Sequence, residues 1–154
     1  MKKTTIAIIG AGHMGMSLLG GLIKNGYPAE KIFLAEPTIK KLNQAKTAFN
    51  INITTNNTDA IKTADTVIFA VKPDVMATTT TELANVIQQR KPLLISVAAG
   101  VREASIQQCV GGNIPIVRAM PNTPALIGCG ATALFANKFT SLEQHQLAES
   151  ILRS

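Results

Sequence analysis

Apolar and polar positions alternate along this chain in blocks: uninterrupted apolar runs are followed by stretches whose apolar residues recur every three or four positions. "TTIAIIG" (Thr4–Gly10) is a β-rich run, after which Met14, Leu18, Leu19, Leu22 and Ile23 fall at helical spacing up to Asn25-Gly26, a helix-ending pair. "KIFLAE" (Lys31–Glu36) predicts a second strand. Pro37-Thr38 opens a second helix that runs to about Phe49. "INIT" is a short third strand, "NNTDAIKTA" supplies a cap and a short helix, and "DTVIFAV" (Asp65–Val71) is a continuously apolar fourth strand. The second half keeps the rhythm, with a helix over Asp74–Arg90, the strand "PLLISVAAG" ending in Gly100, and a short helix "REASIQQC". The strand "IPIVRAM", the Pro- and Gly-rich loop "PNTPALIGCG" and the strand "ATALFAN" follow. Thr140 and Glu143 fit a capping box that opens a last helix, still running at Ser154 with no C-cap signal.

Apolar runs buried on both faces, alternating with helices, predict a mainly parallel sheet covered on both sides, a doubly wound α/β domain. No linker, repeat or low-complexity segment divides the 154 residues, so one domain over 1–154 is expected. The abrupt end inside a helical pattern suggests the first part of something longer.

Composition changes this picture little. At 46% hydrophobic and 16% charged residues the chain can bury a core, mostly aliphatic because it has no Trp and one Tyr. Charge adds a question: 15 basic against 9 acidic residues give +6. The lysines are scattered or paired (Lys2-Lys3, Lys40-Lys41), without an Arg-rich run or interleaved aromatics, so no nucleic-acid partner is expected. A mild positive field suits an anionic small molecule equally well. Cys109 and Cys129 lack C-x-x-C spacing and read as reduced apolar residues. With no signal peptide and no run of about 18 apolar residues, no membrane is expected and the cytoplasm is the default.

Candidate chemistry concentrates at "IIGAGHMG" (Ile8–Gly15), where Gly10, Gly12 and Gly15 form G-x-G-x-x-G between a strand and a helix. In a dinucleotide site Gly10 makes the tight turn, Gly12 lets a pyrophosphate approach the backbone, and Gly15 lets the helix pack on the strand. The plain alternative is a structural strand-to-helix turn. The fingerprint also places an acidic residue at the end of the second strand, and Glu36 stands there. Such a carboxylate accepts ribose hydroxyls and repels a 2′-phosphate, favouring NAD; Thr38, Lys40 and Lys41 follow at once and would hold a 2′-phosphate if Glu36 turned away. His13, inside the loop, reads as a polar side chain at a helix start rather than a catalytic group. "AVKP" (Ala70–Pro73), "SVAAG" (Ser96–Gly100) and "AMPNTP" (Ala119–Pro124) end other strands at the same sheet edge, where ligands of parallel sheets bind. Lys72 reads as a solvated or phosphate-facing lysine rather than a proton donor. No metal cluster, carboxylate dyad or Ser–His–Asp arrangement stands out.

"IIGAGHMG", "FAVKP", "SVAAGV" and above all "VRAMPNTPALIGCGATAL" (Val117–Leu134) resemble the pyrroline-5-carboxylate reductase family over essentially the whole chain. The resemblance implies a Rossmann-type domain of an NAD(P)H-dependent oxidoreductase that reduces the C=N bond of 1-pyrroline-5-carboxylate to L-proline, with NADPH or NADH as cofactor. By the same resemblance Ile9, Gly10, Ala11, Gly12, His13 and Met14 hold the pyrophosphate and Glu36 the adenosine ribose. Asn57 and the segment Ala70, Val71, Lys72 and Pro73 contact the cofactor. Val97, Ala98 and Ala99 border the nicotinamide, and Asn122 and Thr123 face nicotinamide and substrate. Many family members carry small or hydroxylated residues where Glu36 stands, as suits NADPH. The family's helical dimerisation domain, with its candidates for imine protonation, has no counterpart in these residues, so the catalytic group stays unassigned. Homo-oligomers are expected of the full-length family through that domain, and little turnover is expected of this chain alone. Two further readings stand beside this one. The first is a non-catalytic NAD(P)-binding or interaction module. The second is a related Rossmann reductase, such as a deazaflavin-dependent enzyme, against which "AMPNTPA" speaks.

Overall fold

A computed structural model describes residues 3–121 and 132–153. Strands β1 (Ile6–Ile9), β2 (Ile32–Ala35), β3 (Asn52–Thr54), β4 (Thr66–Phe69), β5 (Leu93–Ser96), β6 (Ile116–Pro121) and β7 (Thr132–Ala136) form one sheet in the order β3-β2-β1-β4-β5-β6-β7. Every neighbouring pair is parallel except β6 and β7, which run antiparallel from Val117↔Ala136 to Pro121↔Thr132. Ten residues, 122–131, separate those two strands. A parallel return needs a crossover of a dozen residues or more, so the shorter connection dictates an antiparallel partner.

The helices are α1 (His13–Lys24), α2 (Ile39–Phe49), α3 (Asn57–Ile61), α4 (Pro73–Glu82), α5 (Ala84–Arg90), α6 (Glu103–Val110) and α7 (Leu142–Leu152). They cover both sheet faces, and the alternation within β1 shows how. Ile6 and Ile8 join Leu19 and Leu22 of α1, Leu42 of α2 and Ile151 of α7 in one core. Ala7 and Ile9 join Ile61 of α3, Met76 of α4, Ile87 of α5 and Ile106 of α6 in the other. All four β1 residues are buried, which is why the strand reads as a continuous apolar run.

Two sequence expectations need correction. The single helix over Asp74–Arg90 is two helices that meet at Leu83 (φ −96°, ψ 2°). The break follows four consecutive threonines, β-branched residues with poor helix propensity, and the Thr80 hydroxyl donates back to the Met76 carbonyl at 2.7 Å, a bond that bends helices. The capping box belongs to Ser141 and Gln144, one residue beyond Thr140 and Glu143: Ser141 Oγ accepts from Gln144 N at 3.1 Å, and Gln144 Oε1 accepts from Ser141 N at 2.9 Å. Thr140 instead donates to Asn137 Oδ1 and the Ile116 carbonyl. The last helix is described as far as Leu152, with Arg153 as its C-cap, and the expectation that it is still running at Ser154 falls on a residue outside the described ones.

Candidate functional site

The strand order reverses direction between β1 and β4, because the chain winds from β1 outward to β2 and β3 and then returns to β4 on the other side. Loops leaving β1 and β4 diverge there, which opens the crevice where ligands of such sheets bind. Gly10 and Ala70 sit at that point. Gly10 N donates to the Ala35 carbonyl at 2.9 Å and Ala70 N to the Ile9 carbonyl at 2.8 Å, so sheet bonding continues to the start of each loop.

The three glycines differ in what they do. Gly10 has φ +107°, and a Cβ there would lie 2.6 Å from the Ala70 carbonyl oxygen. Backbone conformation and packing both exclude a side chain. Gly15 lies in α1, and a Cβ there would lie 2.2 Å from the Gly10 carbonyl oxygen and 3.3 Å from Ala70 Cβ. Gly12 is another case: its φ of −77° and ψ of −170° suit any residue, and a Cβ would meet nothing within 4 Å. The fold therefore requires glycine at 10 and 15 and leaves position 12 open to solvent.

Gly12 is also the N-cap of α1, whose first turn has neither a capping side chain nor an acidic residue. The first intrahelical bond runs from Met16 N to the Gly12 carbonyl at 2.9 Å. The preceding amides of His13, Met14 and Gly15 lack an intrahelical acceptor, and with the helix dipole they leave an uncompensated positive end beside the open space at Gly12. That combination fits a phosphate-bearing ligand. His13 is exposed, Met14 half-buried, and Ile9 and Ala11 are buried.

Glu36 closes the loop from below. Its N–H donates to the Thr54 carbonyl at 3.1 Å, extending β2 against β3. Its side chain turns inward: Oε1 accepts from Ala11 N and Oε2 from Thr38 N, each at 3.0 Å, with the residue only 8% exposed. Burial pushes the carboxyl's pKa up; the Ala11 and Thr38 amides, the Thr38 hydroxyl and the charge of Lys41 outweigh it, and the carboxyl stays below its ordinary value. No spacing rule signals that a carboxylate at the end of the second strand will clasp the amide of the glycine loop.

The other expected site residues line the same edge. Val71 Cγ1 would stand 3.3 Å from a Cβ at Gly10. Lys72 is exposed as the N-cap of α4, and Pro73 takes its first turn. Val97 N donates to the Phe69 carbonyl at 3.2 Å and Ser96 Oγ accepts from Ala98 N at 3.3 Å. These bonds bury Val97 and Ala98 and leave Ala99 exposed. Asn57 is the first residue of α3; the capping role falls to Asn56, whose side chain accepts from Asp59 N. Asn122 and Thr123 lie outside the described residues. A cavity of about 210 Å³ between α4 and α6 shares Pro73 and Gly100 with this edge but no glycine-loop residue.

The sheet order, the glycine loop and the acidic residue at the end of β2 define a Rossmann-type α/β domain. Residues 5–100 match the family described as NADP oxidoreductase, coenzyme F420-dependent, and the chain belongs to that family. Matches to other proteins run further along the chain, past that stretch. A pyrroline-5-carboxylate reductase of Pseudomonas aeruginosa is 38% identical over 152 residues, 99% of this chain and 55% of that protein. The solved pyrroline-5-carboxylate reductase of Coxiella burnetii superposes with a TM-score of 0.95 at 38% identity, over 99% of this chain and 56% of that one. The Plasmodium falciparum pyrroline carboxylate reductase, solved with NADP bound, has a TM-score of 0.84 at 25% identity over 99% of this chain and 55% of that one. The chain spans about half the length of the curated relatives it matches.

Proposed function

We propose that this chain is the cofactor-binding half of a pyrroline-5-carboxylate reductase, using NADPH or NADH in proline formation. The supporting likeness extends over 99% of the chain, beyond the stretch shared with the coenzyme F420 family and through the "AMPNTPALIGCG" segment. In this reading residues 1–154 act as one NAD(P)-binding domain, and the part of the relatives that the chain does not span supplies the rest of the substrate pocket and the homo-oligomer contacts. Exposed Phe135, Phe139 and Leu142, along β7 and the start of α7, suit such a contact.

A bound reduced nicotinamide supplies a hydride to the C=N carbon of 1-pyrroline-5-carboxylate. The chain's own residues bind and orient. The free amides at the start of α1 receive the pyrophosphate, with Gly12 giving it room. Glu36 holds the adenosine ribose. Asn57 and Ala70, Val71, Lys72 and Pro73 flank the cofactor; Val97, Ala98 and Ala99 back the nicotinamide; Asn122 and Thr123 face the substrate. No proton donor is assigned to this chain.

The observation that carries this reading is Gly12, a glycine that neither its backbone angles nor its neighbours require. A ligand that needs the empty space accounts for it. Gly12→Ala is expected to cost no more than about 1 kcal/mol of unfolding free energy, the difference between glycine and alanine at a helix N-cap, while raising the dinucleotide Kd at least tenfold by calorimetry. Failure of the wild-type chain to bind NADPH or NADH at millimolar concentration overturns the proposal.

A further inference from the structure

We propose that the cavity between α4 and α6 is a second ligand site, one that takes a small uncharged ring compound carrying a hydrogen-bond donor. It concerns a space other than the glycine-loop crevice and stands independently of the cofactor reading above.

Protein interiors pack densely, and voids larger than a water molecule are few. Here about 210 Å³ lies between two helices that pack side by side. An apolar cavity of about 150 Å³ holds benzene, so this one has room for a single or fused ring. Pro73, Met76, Ala77 and Thr80 recur at helical spacing and share one face of α4, which meets Ser105, Ile106 and Cys109 of α6 across the space. Met76 and Ile106 are buried members of the core beneath, and Val101 packs against that core. Ala77, Gly100 and Ser105 are exposed and mark the open side.

The lining selects the ligand. Among the described residues, none that lines the cavity is charged, although Asp74 and Glu82 lie on α4 and Glu103 on α6. An ion moving in from water would find no opposite charge there, which is a heavy cost. Met76 offers a flexible, polarizable wall that adapts to a ring and makes favourable sulfur contacts with its edge. The Thr80 hydroxyl is 1% exposed and donates its proton to the Met76 carbonyl at 2.7 Å, so acceptor capacity is what it has left. It therefore matches a ligand N–H or O–H. The cavity shares Pro73 and Gly100 with the cofactor edge but no glycine-loop residue, so the two sites can be filled together.

The test titrates the purified chain with indole, and with benzoate as a charged compound of equal heavy-atom count, followed by amide NMR spectra. Saturable submillimolar binding of indole is expected, with shifts centred on Met76, Thr80, Val101, Ile106 and Cys109. Benzoate is expected to bind at least tenfold more weakly, although the net charge of +6 favours anions over the surface as a whole. Indole should also slow iodoacetamide alkylation of Cys109 at least threefold, read by peptide mass spectrometry with Cys129 as the internal reference. Ser105→Phe and Ala77→Phe, each filling the open side from a different wall at an exposed position, should abolish both effects in variants shown by thermal melts to be folded. If neither variant folds, the pattern of wild-type shifts and the Cys109 protection decide. Absence of saturable indole binding overturns the proposal, as does binding that persists in a folded plugged variant. Equal binding of benzoate overturns the uncharged ligand class. Displacement of indole by saturating NADH overturns the separate site and assigns the cavity to the cofactor edge; lack of NADH binding counts against the cofactor reading alone.

Discussion

Gly15 and Gly20 lie in the same helix, five residues apart, and the same substitution should move stability in opposite directions at the two positions. Alanine normally improves a helix interior by about 1 kcal/mol over glycine. At Gly20 nothing opposes that gain, since the nearest atom to a new Cβ is Phe49 Cζ at 3.8 Å, an ordinary contact. At Gly15 the Cβ would stand 2.2 Å from the Gly10 carbonyl oxygen. That is about 1 Å inside an ordinary carbon–oxygen approach of ~3.3 Å. The oxygen cannot retreat cheaply, because Gly10 is held at φ +107° and its N–H is bonded to Ala35. Overpacking of this kind costs about 1–3 kcal/mol or more, so the net loss for Gly15→Ala is about 2 kcal/mol at the upper end of that range. For a domain of this size each kcal/mol shifts Tm by roughly 2–4 °C. Calorimetric melts should therefore show Gly15→Ala lowered by about 4–8 °C and Gly20→Ala raised by about 2–4 °C. A Tm for Gly15→Ala equal to or above wild type would refute the claim that α1 rests directly on the loop backbone.

Other consequences concern charge and the far edge of the sheet. Because the Glu36 carboxyl is held below its ordinary value of 4.5, the folded state favours its ionised form; that stabilisation is present above the usual carboxylate range and is lost as pH falls through the lowered value. Urea midpoints of wild type and Glu36→Gln should converge as pH is lowered from 7 to 3, and a constant gap would contradict the assignment. Arg90 donates through Nε to the Ala64 carbonyl at 2.9 Å and through Nη2 to the Thr63 carbonyl at 3.3 Å and Asp65 Oδ1 at 3.0 Å, while Asp65 Oδ2 accepts from Thr5 N. The ion pair is half-exposed and contributes little; the carbonyl bonds carry the effect, so Arg90→Ala should cost about 1–2 kcal/mol in urea unfolding. Arg90→Lys should recover less than half of it, since one ammonium cannot span the three acceptors.

The sequence by itself determined the local elements. Continuous apolar runs and period-3.6 patterns are properties of single segments, so β1 to β5 and α1 to α3 stand within a few residues of where those runs and patterns put them. It also located the glycine loop and Glu36, because their spacing along the chain is itself the signal. Tertiary structure decided what depends on neighbours distant in sequence. The break at Leu83 is a local exception that the apolar pattern hides, since the Thr80 hydroxyl competes for the Met76 carbonyl four residues back. The capping box moved one residue because the Thr140 hydroxyl is drawn to the Ile116 carbonyl at the start of β6 and so is not free to cap. The three glycines look equivalent in the motif, and only the folded loop separates them: the positive φ of Gly10 and the Ala70 carbonyl beside it, and the Gly10 carbonyl against Gly15, mark the two that the fold needs from the one that it leaves open. Glu36, finally, is an acidic residue at a suggestive position until the sheet sets β1 beside β2. That pairing brings the Ala11 amide onto a carboxylate that the nearby Thr38 amide also holds, and fixes a charge that the sequence alone left free to turn.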